Sequence, residues 1–198
     1  MYGRLILKNL RTGKVVKCKG LFTRNMGYLI QAIFNKYDNT EDFKELKDLD
    51  GNTFNIGARV NGRLTFVASV VIQNILFHMN YQGSTTLKTG LKAFISPEEV
   101  TPTIDMYNIP NVKDVLELTS KTYTENTTKI TLSFVGSTTA SDTYTAKLVG
   151  LVLTLHPYKY SDDMVTVVKD TLIDVFAITP VDIVQGDPIA VSYKLELT

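Results

Sequence analysis

The sequence predicts a mainly β protein, an antiparallel β-sandwich (jelly-roll-like) with one N-terminal helix. Alternation of apolar and polar residues recurs in many short segments, with turn residues every eight to twelve positions or so. A clear helical period occurs near the start, and no strand–helix–strand alternation follows that would indicate a parallel sheet. We therefore expect a single sandwich domain over residues 1–198, with a hairpin-helix segment at about 1–50.

The first fifty-five residues predict a hairpin, a helix and a loop. "RLILKNLRTGKVVKCKG" places two apolar runs around the turn residues 11–14, the pattern of a β-hairpin. In "TRNMGYLIQAIFNKY" the apolar residues recur at three and four positions, and Thr23 can cap the helix that this spacing predicts. Residues 38–55 alternate in charge and predict a loop, with a short helical turn as an option and with Asp50-Gly51 as a turn.

The sequence pattern in the middle of the chain fits more than one secondary structure. Residues 63–81, "RLTFVASVVIQNILFHMNY", fit one buried helix or two successive strands, and their β-branched and aromatic content favours strands. Residues 85–96 predict a hairpin or a strand bent around Gly90. Residues 97–112 carry three prolines, which cannot donate to a strand ladder, so we expect a long irregular connection.

The C-terminal part predicts three kinds of strand. "KITLSFVG" alternates as a half-solvated strand does, and "TYTAKLVGLVLTLHP" is apolar on nearly both faces, as expected for the middle of a sheet. The last ten residues, "IAVSYKLELT", follow a turn at Gly186 and alternate without a break. Their predicted buried face consists of Ile189, Val191, Tyr193, Leu195 and Leu197.

Composition excludes several classes of protein. The chain has 21 basic and 20 acidic residues, a formal net charge of +1, so we do not expect nucleic acid as a partner. Neither a membrane span nor a signal peptide is evident, and synthesis in the cytoplasm is expected. The single cysteine, Cys18, cannot form an intramolecular disulfide and is interpreted as a strand residue.

Side chains for catalysis or metal binding are sparse. The two histidines, His78 and His156, are distant in sequence, and we interpret them as satisfied or surface imidazoles. Six carboxylates are predicted to lie solvated in loops: Glu98, Glu99, Asp162, Asp163, Asp182 and Asp187. Their spacing does not match a calcium loop, and one cysteine with two histidines cannot form a tetrahedral zinc site. We expect no enzyme activity, no cofactor and no metal.

Tyrosine is the most informative surface residue type. The chain has ten tyrosines, nine phenylalanines and no tryptophan, which weakens the case for a carbohydrate-binding face. Tyrosine is enriched at protein interfaces. The interface candidates are those in or near predicted loops: Tyr107, Tyr123, Tyr144, Tyr158 and Tyr160.

The order of segments resembles small virion structural proteins of tailed phages, of the head-fibre, collar or tail-associated type. The resemblance runs through four stretches, "NMGYLI" at 25–30, "TPTID" at 101–105, "AKLVGL" at 146–151 and "GDPIAVSY" at 186–193. The chain departs from that pattern before the second stretch, where "KAFISPEE" replaces a glycine-rich strand.

This resemblance implies a virion component with a β-sandwich body, made in the host cytoplasm and assembled into a symmetric homo-oligomer with other virion proteins. It carries over no catalytic residue. The alternative function is a receptor- or carbohydrate-binding module on the same scaffold, with a ligand on the host surface.

Overall fold

A computed structural model describes residues 2–34, 44–56, 59–60, 63–64, 90–155 and 169–197. Several predictions concern residues outside these ranges: the choice between helix and strands for 65–81, the two histidines His78 and His156, the carboxylates Asp162 and Asp163, and the tyrosines Tyr158 and Tyr160.

The described residues form fourteen strands and one helix. The strands before the long connection are β1 Tyr2–Asn9, β2 Val15–Lys19, β3 Leu21–Phe22, β4 Lys44–Lys47, β5 Thr53–Ile56, β6 Arg59–Val60, β7 Arg63–Leu64 and β8 Leu91–Ser96. Those after it are β9 Asp114–Glu117, β10 Ser120–Asn126, β11 Lys129–Thr139, β12 Tyr144–Leu155, β13 Lys169–Ile183 and β14 Pro188–Leu197. The helix α1 covers Arg24–Phe34.

Two five-stranded antiparallel sheets make up the body of the protein. The first sheet has the order β10-β11-β14-β1-β2, and the second has the order β3-β13-β12-β8-β9. The pairs β4-β5 and β6-β7 form two small separate hairpins. The predicted fold class, mainly β and antiparallel with one N-terminal helix, is confirmed, whereas the jelly-roll connectivity stays a prediction.

The hydrophobic core lies between the two sheets and draws side chains from both. The Tyr193 ring of β14 stacks near Phe134 of the same sheet and meets Phe176 of the second sheet edge-on, with ring centroids 6.1 Å apart. All three rings are buried. Each is worth about 1.5–3 kcal/mol of burial free energy, so this contact is a substantial part of what joins the sheets.

The last strand is held inside the first sheet. β14 pairs with β1 on one side, from Tyr2↔Glu196 to Asn9↔Ile189, and with β11 on the other. The predicted buried face is confirmed at Ile189, Val191, Tyr193 and Leu195. Because both edges of β14 are paired, the end of the chain forms the middle of a sheet.

The helix begins where the sequence predicts, and polar side chains fix its start. The Met26 amide lies 3.5 Å from Thr23 Oγ1, and the same hydroxyl donates to the Leu172 carbonyl oxygen at 2.7 Å. The Asn25 side chain accepts from the Lys47 amide at 3.0 Å and donates to the Lys47 carbonyl oxygen at 2.9 Å. The cap therefore joins the helix to β13 and β4 while satisfying free backbone groups.

The predicted loop at 38–55 is wrong where it is described, because residues 44–56 form the β4-β5 hairpin. The Asp50-Gly51 turn is confirmed, with Gly51 at a φ of 84°. Asp48 Oδ1 accepts from the Asp50 and Asn52 amides, which closes the turn, and Lys169 of β13 forms an ion pair with Oδ2 at 2.6 Å. A contact between residues that are distant along the chain thus stabilises two strands whose charged sequence lacks a β pattern.

A second correction concerns Asp182, which was predicted in a loop and lies within β13. The pairing of β13 with β12 shifts between Ala146 and Leu148, opposite residues 177–181. Pro180 lies in this irregularity, where a missing N–H does not interrupt the ladder. The strand can therefore continue through Pro180.

Candidate interaction surfaces

Tyr107 lies in the connection between β8 and β9 and packs against the β4-β5 hairpin. A Cβ atom added at Gly51 would lie 3.1 Å from Tyr107 Cε2, so the ring lies directly on the turn. The Lys47 Nζ atom is 5.4 Å from the ring centroid, within cation–π range. The half-buried ring of this interface candidate thus contacts its own chain.

Tyr144, the first residue of β12, also makes contacts within the chain. Its hydroxyl donates to Asp114 Oδ2 at 2.6 Å, and its ring packs against the main core. Burial and the hydrogen bond to this carboxylate raise the pKa of Tyr144. The hydroxyl therefore acts as a neutral donor linking the start of β12 to β9.

Of the three candidates that the structure describes, Tyr123 is the most available to a partner. It lies on β10, at the edge of the first sheet, and 58% of it is exposed. Its hydroxyl donates to Glu125 Oε2 at 2.7 Å, and this bond raises the pKa of Tyr123. The three described tyrosines contact different parts of the fold and do not form one cluster.

A groove of about 610 Å³ opens where the edges of the two sheets approach each other. We call it the edge groove, and its lining residues are 115–117, 119–120 and 135–138. Val115 and Val135 at the groove are 47% and 41% exposed. Two accessible valines therefore border one depression, and a partner can bury their exposed apolar area.

The strand lengths explain the groove. β10 pairs with β11 from Lys129 to Val135, whereas β11 continues to Thr139 along β14. Residues 136–139 therefore have no β10 partner in the described ladder. At Gly136 an added Cβ atom would lie 2.1 Å from the Glu117 carbonyl oxygen, so glycine permits the close approach of β9.

The prediction of a solvated loop carboxylate is wrong for Asp187, which is 2% exposed. Arg11 donates to both of its oxygens, Asn9 Nδ2 donates at 2.8 Å, and the Val184 amide donates at 3.0 Å. The Arg11 hydrogen bond is the main reason that the pKa of Asp187 falls to about 2. The carboxylate therefore fixes the turn before β14 against the β1-β2 hairpin.

The other described carboxylates of the predicted set have exposed or partly exposed partners. Asn111 Nδ2 donates to Glu98 Oε1 at 2.8 Å, and Lys147 forms an ion pair with Glu99 at 3.1 Å. Thr145 Oγ1 donates to Asp182 Oδ1 at 2.8 Å. No group of three or more His, Cys, Asp or Glu residues in the described part of the chain could hold a metal ion.

Asp174 is the residue that the sequence interpretation missed. It is fully buried between the sheets, where burial raises its pKa to about 7. Its carboxyl accepts from the Tyr193 hydroxyl and from the Val175 amide, and Cβ atoms added at Gly3 and Gly20 would lie about 2 Å from its oxygens. A single acid within the apolar run "LIDVF" was the available signal.

Cys18 lies in β2 and is half-buried, as its interpretation as a strand residue implies. Burial raises the pKa of its thiol to about 11. The thiol is therefore protonated at neutral pH.

The fold places this chain among antiparallel two-sheet β proteins. Comparison with protein-family models, with curated proteins and with solved structures finds no match. No helix within the described residues is long and apolar enough to cross a membrane.

Proposed function

We propose that this protein is a structural component of a virus particle, associated with the capsid, collar or tail, and that it acts in assembly through protein–protein contacts. The observation that carries the proposal is the edge groove, with its two exposed valines and the end of β11 that extends beyond β10. The resemblance of the four sequence stretches to small virion proteins of tailed phages supports the proposal that the protein belongs to a virus particle.

The part of β11 that extends beyond β10 is the first element of this surface. Backbone groups on an unpaired edge are a template for another strand, and apolar side chains next to that edge add free energy when a partner covers them. Val115 and Val135 supply the apolar part, and Tyr123 on neighbouring β10 supplies an exposed aromatic ring. A homo-oligomer would use the same groove on every copy.

Light scattering after size-exclusion chromatography tests assembly over a range of protein concentrations. We expect the wild-type chain to form an oligomer. Val115→Asp and Val135→Asp place a charge in the edge groove and should shift the protein toward monomer. A wild-type chain that remains monomeric at high concentration would argue strongly against assembly through self-contacts.

Val184→Asp is the matched control. Val184 is 43% exposed, similar to the groove valines, but follows β13 in the turn before β14. The control should keep the wild-type mass. A separate experiment tests whether the protein is part of a virus particle. Mass spectrometry of particles purified from producing cells should detect the chain in constant proportion to other virion proteins.

A further inference from the structure

The outer face of the first sheet carries a concentration of positive charge. Strand alternation directs every second residue of β1, β2, β11 and β14 to this face, which is opposite to the core. We call it the basic face, and its cations are Arg4, Lys8, Lys17, Lys19, Lys129 and Lys194. Four of them are exposed, and Lys129 and Lys194 are partly exposed.

The strand register brings like charges together. Lys19 of β2 pairs directly with Arg4 of β1, and Arg4 pairs directly with Lys194 of β14. Like charges directly opposite each other destabilise a sheet. The three cations of this row therefore repel one another, and the only described carboxylate beside them is Glu196, which pairs with Arg4.

Glu196 is the one carboxylate on the basic face among the described residues. It is buried, with an ion pair to Arg4 at 3.3 Å and another to Lys129. Within the described part of the chain, Lys8, Lys17 and Lys194 have no carboxylate partner, and Lys19 lies 5.1 Å from the Tyr2 ring centroid. Four lysines thus remain available for an external anion.

The rest of the face indicates which kind of anion it fits. Thr122, Ser133 and Ser192 lie among the cations, and hydroxyl groups with Lys and Arg are the usual donors to phosphate oxygens. Protein interfaces are instead depleted in lysine and enriched in aromatic residues. The face has a single aromatic residue in its described part, Tyr2, which already has cations near its ring.

We propose that the basic face binds the phosphate backbone of a double-stranded nucleic acid without reading its sequence. Neighbouring strands are about 4.8 Å apart, so the row from Lys19 to Lys194 spans roughly 10 Å of the sheet surface. Without free aromatic rings, the face lacks the platforms on which single strands stack. The sequence predicts no nucleic-acid partner because the total charge is only +1. That total averages over all faces of the protein and does not show the local charge of the basic face.

Fluorescence anisotropy of a labelled duplex of about 30 base pairs and mixed sequence tests the proposal between 50 and 200 mM salt, the range over which phosphate contacts weaken strongly. With four free lysines, we expect a slope of log K against log salt of roughly −3 to −4. Lys17→Gln, Lys19→Gln and Lys194→Gln combined should weaken binding at least tenfold and make the slope shallower by about 0.9 per lysine.

The matched control combines Lys47→Gln, Lys113→Gln and Lys147→Gln, which remove the same charge away from the basic face. This control should keep the affinity within about twofold, as expected if the local arrangement carries the binding. Equal loss in both triple variants, or an undetectable wild-type complex at 50 mM salt, would overturn the proposal. Binding to poly-glutamate as tight as to the duplex, or tighter binding to a single strand, would also overturn it. Duplex RNA in a parallel titration identifies which double helix is preferred.

Discussion

The Tyr193 hydroxyl of the first sheet donates a hydrogen bond to Asp174 Oδ2 of the second sheet over 3.3 Å, inside the core. Each residue is at most 2% exposed. The carboxyl lies beside Gly3 and Gly20, whose missing side chains leave room for it. A titratable group therefore lies in the interface that holds the sheets together.

This arrangement predicts that stability depends on pH. Because the folded-state pKa of Asp174 is about 7 and the ordinary pKa of an aspartate side chain is 3.8, the stabilising contribution of the protonated carboxyl is complete below about pH 3.8 and is lost as pH rises through 7. The free energy of unfolding should fall by roughly 3 kcal/mol between pH 4 and pH 8. Urea denaturation at several pH values measures it.

Asp174→Asn should remove this dependence, since the amide does not ionise, and the variant should be more stable than the wild type at pH 8. Asp182→Asn changes an exposed carboxylate on the same strand and should keep the wild-type slope. An unchanged slope in Asp174→Asn would assign the pH dependence to other groups.

Asp187→Ala should destabilise the closing turn. It removes the acceptor for Arg11, the Val184 amide and one N–H of the buried Asn9 side chain. We expect Tm at pH 7 to fall by roughly 5 °C or more. Since the folded-state pKa of Asp187 is about 2, its contribution is present above its unfolded pKa and is lost as pH falls toward 2.

Arg11→Ala is the companion variant and should lower Tm by less than Asp187→Ala. The Arg11 guanidinium is largely exposed in the wild type, and Asn9 and the Val184 amide still bind Asp187 in the variant. Differential scanning calorimetry of the two variants separates these contributions. A larger loss in Arg11→Ala than in Asp187→Ala would contradict the central role of the carboxylate.

Gly136→Ala should disturb the edge groove. The added Cβ atom would lie 2.1 Å from the Glu117 carbonyl oxygen, so β9 or β11 must shift. Overpacking of this kind typically costs about 1–3 kcal/mol. Equilibrium urea denaturation measures the loss, and light scattering reports whether oligomer formation falls with it.

Gly27→Ala makes the same chemical change in an open position. Gly27 is exposed in α1, and an added Cβ atom would meet no atom within 4 Å. Alanine in a helix interior is favoured over glycine by roughly 0.5–1 kcal/mol, so this variant should be more stable than the wild type. We therefore expect the free energy of unfolding to fall in Gly136→Ala and to rise in Gly27→Ala. Changes of opposite sign distinguish a steric requirement at one position from a general preference for glycine.

Removing Tyr193–Thr198 should abolish soluble folding. The deletion removes the buried Tyr193 ring and breaks the pairing of β14 with β1 and β11 in the centre of the first sheet. Expression followed by separation of soluble and insoluble fractions tests this. A soluble truncated chain with wild-type circular dichroism would contradict the role assigned to β14.

Much of the fold could be predicted because its signals are local. The apolar spacing of 24–34 identified the helix, and alternation in 189–197 identified the last strand with its buried face. The hairpin of residues 44–56 was not predicted because its charged sequence lacks a β pattern, and the contact that holds it to β13, the Lys169–Asp48 ion pair, joins residues 121 positions apart. Of the interface candidates, sequence alone could not separate exposed Tyr123 from Tyr107 and Tyr144, since exposure depends on neighbours brought together by folding.

For strands with a clear alternation, such as β11 and β14, the sequence by itself determined the strand and its apolar face, because backbone geometry alternates side chains whatever the neighbours are. The tertiary structure decided that β14 lies between β11 and β1, since pairing joins segments that are distant along the chain. It also decided that Asp174 lies beside Tyr193, and that Lys19, Arg4 and Lys194 share one row. A net charge of +1 carries no information about that row, because register, which is a long-range property, sets where charges meet.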